Sequence, residues 1–131
     1  MKHEELKSKI LECYFEVMKE LGSGFLESVY EKALIVALSQ KGLQARSQVP
    51  LKVKFREVIV GDFFADLIVD EKVLVELKAV ARILSDHKAQ VINYLNATGI
   101  DVGLLINFGN PRVEYFRLHP SINPADPVHP V

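Results

Sequence analysis

The chain has 131 residues and a mass of 14.7 kDa, one domain's worth, long enough to bury roughly two-thirds of the surface that its unfolded form exposes. Hydrophobic residues at 49% and charged residues at 25% exclude a disordered chain, and a single cysteine, Cys13, excludes an intrachain disulfide framework or a thiolate zinc cluster. Sixteen Lys+Arg against seventeen Asp+Glu leave a net charge of −1, so charge-driven coating of nucleic acid is excluded as the whole function. The longest apolar runs, such as Val102 to Ile106, are too short to span a bilayer. Glu4 and Glu5 stand near the start without an apolar segment behind them, so no secretory signal and no membrane partner are expected, and the expected location is cytoplasmic.

From Leu6 to Leu21 the apolar residues recur at three and four, which predicts a helix over about 4–21. Gly22-Ser23-Gly24 interrupts the pattern, and Ser23 or Gly24 is expected to open a second helix over about 25–41, with Gly42 just past its end. After Pro50, Leu51, Val53 and Phe55 alternate with Lys52, Lys54 and Arg56: a half-buried strand with a basic outer face. Val58–Val69 and Val73–Leu77 read as strands parted by Asp70-Glu71-Lys72. Ser85 is the expected N-cap of a helix running to Asn96 or Ala97 and closed by Gly99. Val102–Phe108 suits a strand buried on both faces, and Arg112–Leu118 alternates as a last strand, expected at an exposed edge. Four of the six prolines fall from Pro120 onward, predicting an extended tail over 120–131 behind a single domain over 1–119. The order is helix, helix, three strands, helix, two strands, an α/β sheet with helical cover.

Asp66 through Lys78 carries the most chemical information. Asp66, Glu76 and Lys78 sit in apolar strands, where charge is costly unless paired, solvated or bound to a metal. A three-residue loop at Asp70-Glu71-Lys72 pairs Asp66 with Glu76, whereas a two-residue loop pairs Asp66 with Val75 and sends Glu76 to the other face. Both remain open at this stage. Two adjacent carboxylates repel unless a cation lies between them, and Mg²⁺ suits such oxygen ligands. A simple strand-end ion pair is the plainer account of Glu76 and Lys78, since Glu5-Leu6-Lys7 repeats their spacing on a solvated helix. Glu27 and Tyr30 lie at i and i+3 in the first turn of the second helix, where Glu27 also offsets the helix dipole. Gln90 and Tyr94 share one helical face with His87 a turn earlier. Cys13, Tyr14 and Phe25 read as packing residues, while His3, His119 and His129 lack a metal-ligand spacing.

Taken together, these elements resemble a known family. Asp66, nine residues, then Glu76-Leu77-Lys78 is similar to the D-x(n)-E-x-K core of the PD-(D/E)XK nuclease superfamily, with Ala65 where that core usually has proline. Gln90-x-x-x-Tyr94 resembles the superfamily's Q-x-x-x-Y element, and Gly24-Phe25-Leu26-Glu27-Ser28-Val29-Tyr30 resembles the signature of its small GxxExxY family. The likeness covers about residues 8–118 and takes in Gln48-Val49-Pro50-Leu51 and Gly103 through Gly109.

The resemblance implies a restriction-endonuclease-like αβββαβ core, a mixed central sheet flanked by helices, with an extra N-terminal helix. It implies that Asp66 and Glu76 hold Mg²⁺ or Mn²⁺ with the Leu77 carbonyl, and that Glu27 completes the metal site. Lys78 would activate water or, on the preferred reading, stabilise the charged transition state. Gln90 and Tyr94 would contact the nucleic-acid backbone, and Lys52, Lys54 and Arg56 are a candidate phosphate stripe. The implied partner is nucleic acid, DNA by superfamily inference, with a homodimer or protein partner supplying target recognition. The alternative is a non-catalytic module that binds nucleic acid or protein on the same fold.

Overall fold

The computed structural model describes residues 2–121, so the expected tail lies outside the described residues beyond Ser121. Two helices, α1 (Glu4–Leu21) and α2 (Glu27–Gln40), precede three strands, β1 (Ala45–Phe55), β2 (Val58–Val69) and β3 (Val73–Lys78). Helix α3 (Ser85–Thr98) and strands β4 (Val102–Asn107) and β5 (Glu114–Leu118) follow, in the expected order. The sheet runs β1-β2-β3-β4-β5, with β3 and β4 parallel and the other neighbours antiparallel. β5 lies at one edge, as its alternating sequence predicts, and β1 at the other.

Period-two alternation divides the core into two layers. Leu67, Val69, Val73, Val75, Leu77, Leu104 and Ile106 pack against α1 and α2. Ile68, Leu74 and Leu105 pack against Val91, Tyr94 and Leu95 of α3. Gly103 is pressed close beneath α3: a Cβ there would meet Val91 at 2.9 Å. The central strands are therefore apolar on both faces, as a parallel pair covered on both sides requires.

Three boundaries differ from the sequence reading. β1 begins at Ala45 and runs straight through Pro50; an edge strand needs no N–H on its open side, so the proline is harmless there. Helix α2 starts at Glu27 with Leu26 as its cap residue, not at Ser23 or Gly24. Gly22 and Gly24 adopt φ of 68° and 118°, which hold the chain out of the helix. Leu84, not Ser85, precedes α3, and its N–H donates to Nδ1 of His87 at 3.0 Å. The imidazole thus takes the reciprocal part of a capping box, accepting the cap residue's N–H as Glu or Gln usually does at that position. No helix among the described residues is long and apolar enough to cross a membrane.

Candidate active site

The hairpin joining β2 to β3 takes the three-residue loop. Leu67 pairs with Val75, Ile68 with Leu74 and Val69 with Val73, so Asp66 stands opposite Glu76. Asp70 and Glu71 make this turn at φ of 50° and 58°. Asp70 offsets that strain, because its carboxylate accepts the Gln44 N–H at 2.8 Å and its own N–H donates to Gln44 O at 2.7 Å.

Beyond Leu67 the two strands part, and the carboxylates fill the fork. The Asp66 N–H donates to Glu76 Oε1 at 3.2 Å, and the Leu77 N–H donates to Asp66 Oδ2 at 2.9 Å. Each side chain accepts a backbone proton that a continuing ladder would have bonded. Strand β2 also changes phase here. Ala65 faces the α3 layer whereas Leu67 faces the α1/α2 layer. Across from it on β1, Gln48 sits at φ of 50°. Asp66 therefore projects from a twist in the sheet where α2 and α3 both approach.

Glu76 is 3% exposed. Burial, reinforced by the adjacent Asp66, pushes its carboxyl up to about 10. Glu27, in the first turn of α2, is raised by burial and by Asp66, while Lys78 and a hydrogen bond from the Ala79 backbone oppose the shift. The ammonium of Lys78 donates to Gln90 Oε1 at 3.1 Å, and Gln90 also hydrogen-bonds Tyr94. The hydroxyl of Tyr94 is raised by burial and then by Glu76 and Asp66. Glu27, Asp66, Glu76, Lys78, Gln90 and Tyr94, drawn from four separate elements, thus share one electrostatic neighbourhood.

Lys52, Lys54 and Arg56 do not join them. Lys52 pairs with Asp62 at 2.6 Å, and the Arg56 guanidinium lies 4.9 Å from the centre of the Phe55 ring. Asp62 is four residues from Asp66, roughly 13 Å along an extended strand. Phe25 is not the packing residue its context suggests: it is 50% exposed, with its ring edge-on to Tyr30 at 6.1 Å. Tyr30 instead ties the preceding loop, accepting the Phe25 N–H at 3.1 Å and donating to Gly22 O at 2.5 Å. Cys13 and Tyr14 are buried as expected.

Several participants escape the sequence reading. The Gln48 amide donates to Glu31 at 2.7 Å and to Asp66 Oδ1 at 3.4 Å, which brings a fourth carboxylate to the rim. Glu31 lies one helical turn after Glu27, a spacing that could have flagged it. Asn107 is fully buried at the end of β4. Its amide bonds both polar backbone atoms of Val80 (3.1 and 2.9 Å) and Glu114 (2.9 Å), holding the segment that follows Lys78. Glu114 in turn accepts the Ile83 N–H. Tyr14 completes the network by donating to Asn107 O at 2.6 Å and accepting the Glu114 N–H at 3.1 Å. Gly109 lies so close to this segment that a Cβ would come within 2.3 Å of Val80 N.

The donor set is oxygen only, strongly acidic, and contains a buried carboxylate that must hold either a proton or a cation. That chemistry fits a hard divalent ion. Among the described residues no three acidic, His or Cys side chains close into a ready-made cage. Asp66 and Glu76 would therefore bind with waters and substrate oxygens completing the shell, the usual manner for Mg²⁺.

A family model described as the PD-(D/E)XK nuclease superfamily matches residues 4–118. No curated protein matches the chain. Among solved structures, the crystal structure of SSO0001 superposes with a TM-score of 0.62 at 16% sequence identity, covering 95% of this chain and 62% of that one. The chain thus spans 62% of that protein's length, and the likeness is one of fold. The mixed sheet and its helices agree with a restriction-endonuclease-like core.

Proposed function

Because the chain belongs to the PD-(D/E)XK nuclease superfamily, we propose that it is a metal-dependent nuclease of the GxxExxY type that hydrolyses phosphodiester bonds of DNA. On this reading residues 1–119 form one nuclease-like domain acting in the cytoplasm. The observation that carries the reading is the fork at Asp66 and Glu76, where two carboxylates are fixed by backbone N–H groups against each other. Asp66 and Glu76 would hold the ion, with the Leu77 carbonyl and Glu27 in support. A divalent ion so bound supplies Lewis-acid polarisation of the phosphoryl group and a lowered pKa for the attacking water.

The remaining work falls to this chain's own residues. Lys78 offsets charge on the phosphate as it becomes more negative, and Gln90 holds the ammonium in place. Gln90 and Tyr94 line the approach and contact the sugar-phosphate backbone. Lys52, Lys54 and Arg56 guide more distant phosphates along the outer strand.

The test is calorimetric titration of Mg²⁺ and Mn²⁺ into wild type and Asp66→Asn, followed by cleavage of single- and double-stranded DNA with and without chelator. Metal binding and chelator-sensitive cleavage by wild type, both lost in a folded Asp66→Asn, are the expected outcome. Equal cleavage by the variant would refute it. DNA binding without cleavage would favour the non-catalytic module.

A further inference from the structure

Helix α2 delivers Glu27 to the fork without the usual means of fixing a helix start. Its cap residue is Leu26, whose side chain has no oxygen to accept one of the orphan N–H groups of the first turn. A backbone bond from the Val29 N–H to Leu26 O at 3.0 Å closes that turn. Asp66 and Glu31 repel the Glu27 carboxylate and Lys78 attracts it, so where the turn sits decides which influence prevails.

Tyr30 supplies the missing anchor. It lies one turn after Glu27 and is fully buried. Its hydroxyl accepts the Phe25 N–H at 3.1 Å and donates to Gly22 O at 2.5 Å. Phe25 immediately precedes the cap residue of α2, and Gly22 caps the end of α1. One oxygen therefore joins the end of the first helix to the start of the second. Between them Gly24 stands at φ of 118°, a conformation open chiefly to glycine, which folds the loop back onto the hydroxyl. The ring reaches the other way. It stacks on Phe108 at 4.5 Å with the planes 11° apart, and the Phe108 N–H donates to Lys78 O at 2.8 Å. Tyr30 thus touches, at its two ends, the loop that sets Glu27 and the strand end bonded to Lys78. A phenylalanine would fill the same volume against Phe108, so packing explains the ring and leaves the hydroxyl to the loop.

We propose that Tyr30 is a positioning residue for the acidic fork: its hydroxyl holds the first turn of α2 so that Glu27 faces Asp66 and Lys78. The inference rests on the reading of Glu27 as part of a metal site. It gives Gly24, Glu27 and Tyr30 a joint part, in which the glycine turns the chain, the tyrosine pins it, and the pinned turn presents the glutamate.

Amide hydrogen exchange of the metal-free protein tests the clamp itself. In Tyr30→Phe the amides of Phe25 and Val29 are expected to exchange at least tenfold faster relative to those of Leu34 and Leu38, farther along the same helix. Gly24→Ala strains the loop at its positive φ, where an added Cβ meets no neighbour. It is expected to loosen the same two amides, and it carries the test if Tyr30→Phe does not fold. Ile10→Val, a truncation in the core of α1, is expected to lower the melting temperature and leave that ratio unchanged. Calorimetric titration of Mn²⁺ then reads the consequence for the site. Tyr30→Phe is expected to raise the dissociation constant about tenfold and to have no further effect in a Glu27→Gln background. Wild-type exchange of Phe25 and Val29 in both loop variants would overturn the proposal. So would an effect of Tyr30→Phe on Mn²⁺ that persists undiminished in the Glu27→Gln background. A wild type that binds no Mn²⁺ would refute the metal reading of the fork, and the exchange ratio alone would then decide whether Tyr30 holds the turn.

Discussion

Replacing Glu76 by Gln tests how the buried fork balances its charge. The Glu76 carboxyl titrates near 10 in the folded protein against an ordinary 4.5. Between those values the metal-free native state holds a proton that the unfolded chain has released, so stability falls as pH rises. One proton is worth about 1.4 kcal/mol per pH unit, and going from pH 6 to pH 8 removes at most about 2.7 kcal/mol. For a chain of this length that corresponds to a melting temperature lower by roughly 10 °C. Gln keeps the shape, still accepts the Asp66 N–H, and has no proton to lose. Thermal melts of chelator-treated protein at pH 6, 7 and 8 should fall steeply for wild type and less steeply for Glu76→Gln. Glu27 and Glu31 are also raised by burial, so the difference between the two slopes is the diagnostic quantity. Added Mg²⁺ should restore wild type at pH 8 and leave the variant unmoved. Parallel pH curves would show that Glu76 does not carry the proton, and the electrostatic account of the fork would fail.

Two further substitutions probe the frame around the site. Gly109→Ala should lower stability by about 2–4 kcal/mol in urea unfolding, because its methyl must displace the Val80 backbone and strain the Asn107 bonds. An unchanged midpoint would mean that the segment after Lys78 yields freely. Tyr14→Phe should cost about 1–3 kcal/mol by the same assay, since it strips a partner from the Glu114 N–H and the Asn107 carbonyl. A loss below about 0.5 kcal/mol would show that water replaces the hydroxyl.

Element order and both core faces were legible in the sequence, because helices of period 3.6 and strands of period two bury different residues. The candidate site was legible in its residue types but not in its register. Three-residue and two-residue loops fit Asp70-Glu71-Lys72 equally well on hydrophobic pattern. The choice rests on two non-glycine residues at positive φ and on a bond from Asp70 to Gln44, 26 positions away. Asn107 and Gly109 were hidden for a similar reason. In the sequence they belong to an apolar strand and its end, and only contact with Val80 gives them their part. Gln48 was invisible as a neighbour of Asp66 because the phase change of the sheet brings its amide there. Where the sequence reading treated a residue by its local pattern alone, as with Ser85 as a cap or Phe25 as packing, long-range geometry decided otherwise.

The network of Tyr14, Asn107 and Glu114 orders the molecule in time as well as in space. The acidic fork and Lys78 are translated before the residues that pin the backbone beyond them, and the tyrosine that bridges those residues lies 93 positions ahead of Asn107. A ribosome that has delivered the chain only as far as Gly103 has made every charged group of the fork but none of its late anchors. On the proposed reading, competence to cut is withheld until the last two strands join the sheet. A prematurely terminated product then carries the reactive residues without the frame that sets them to work.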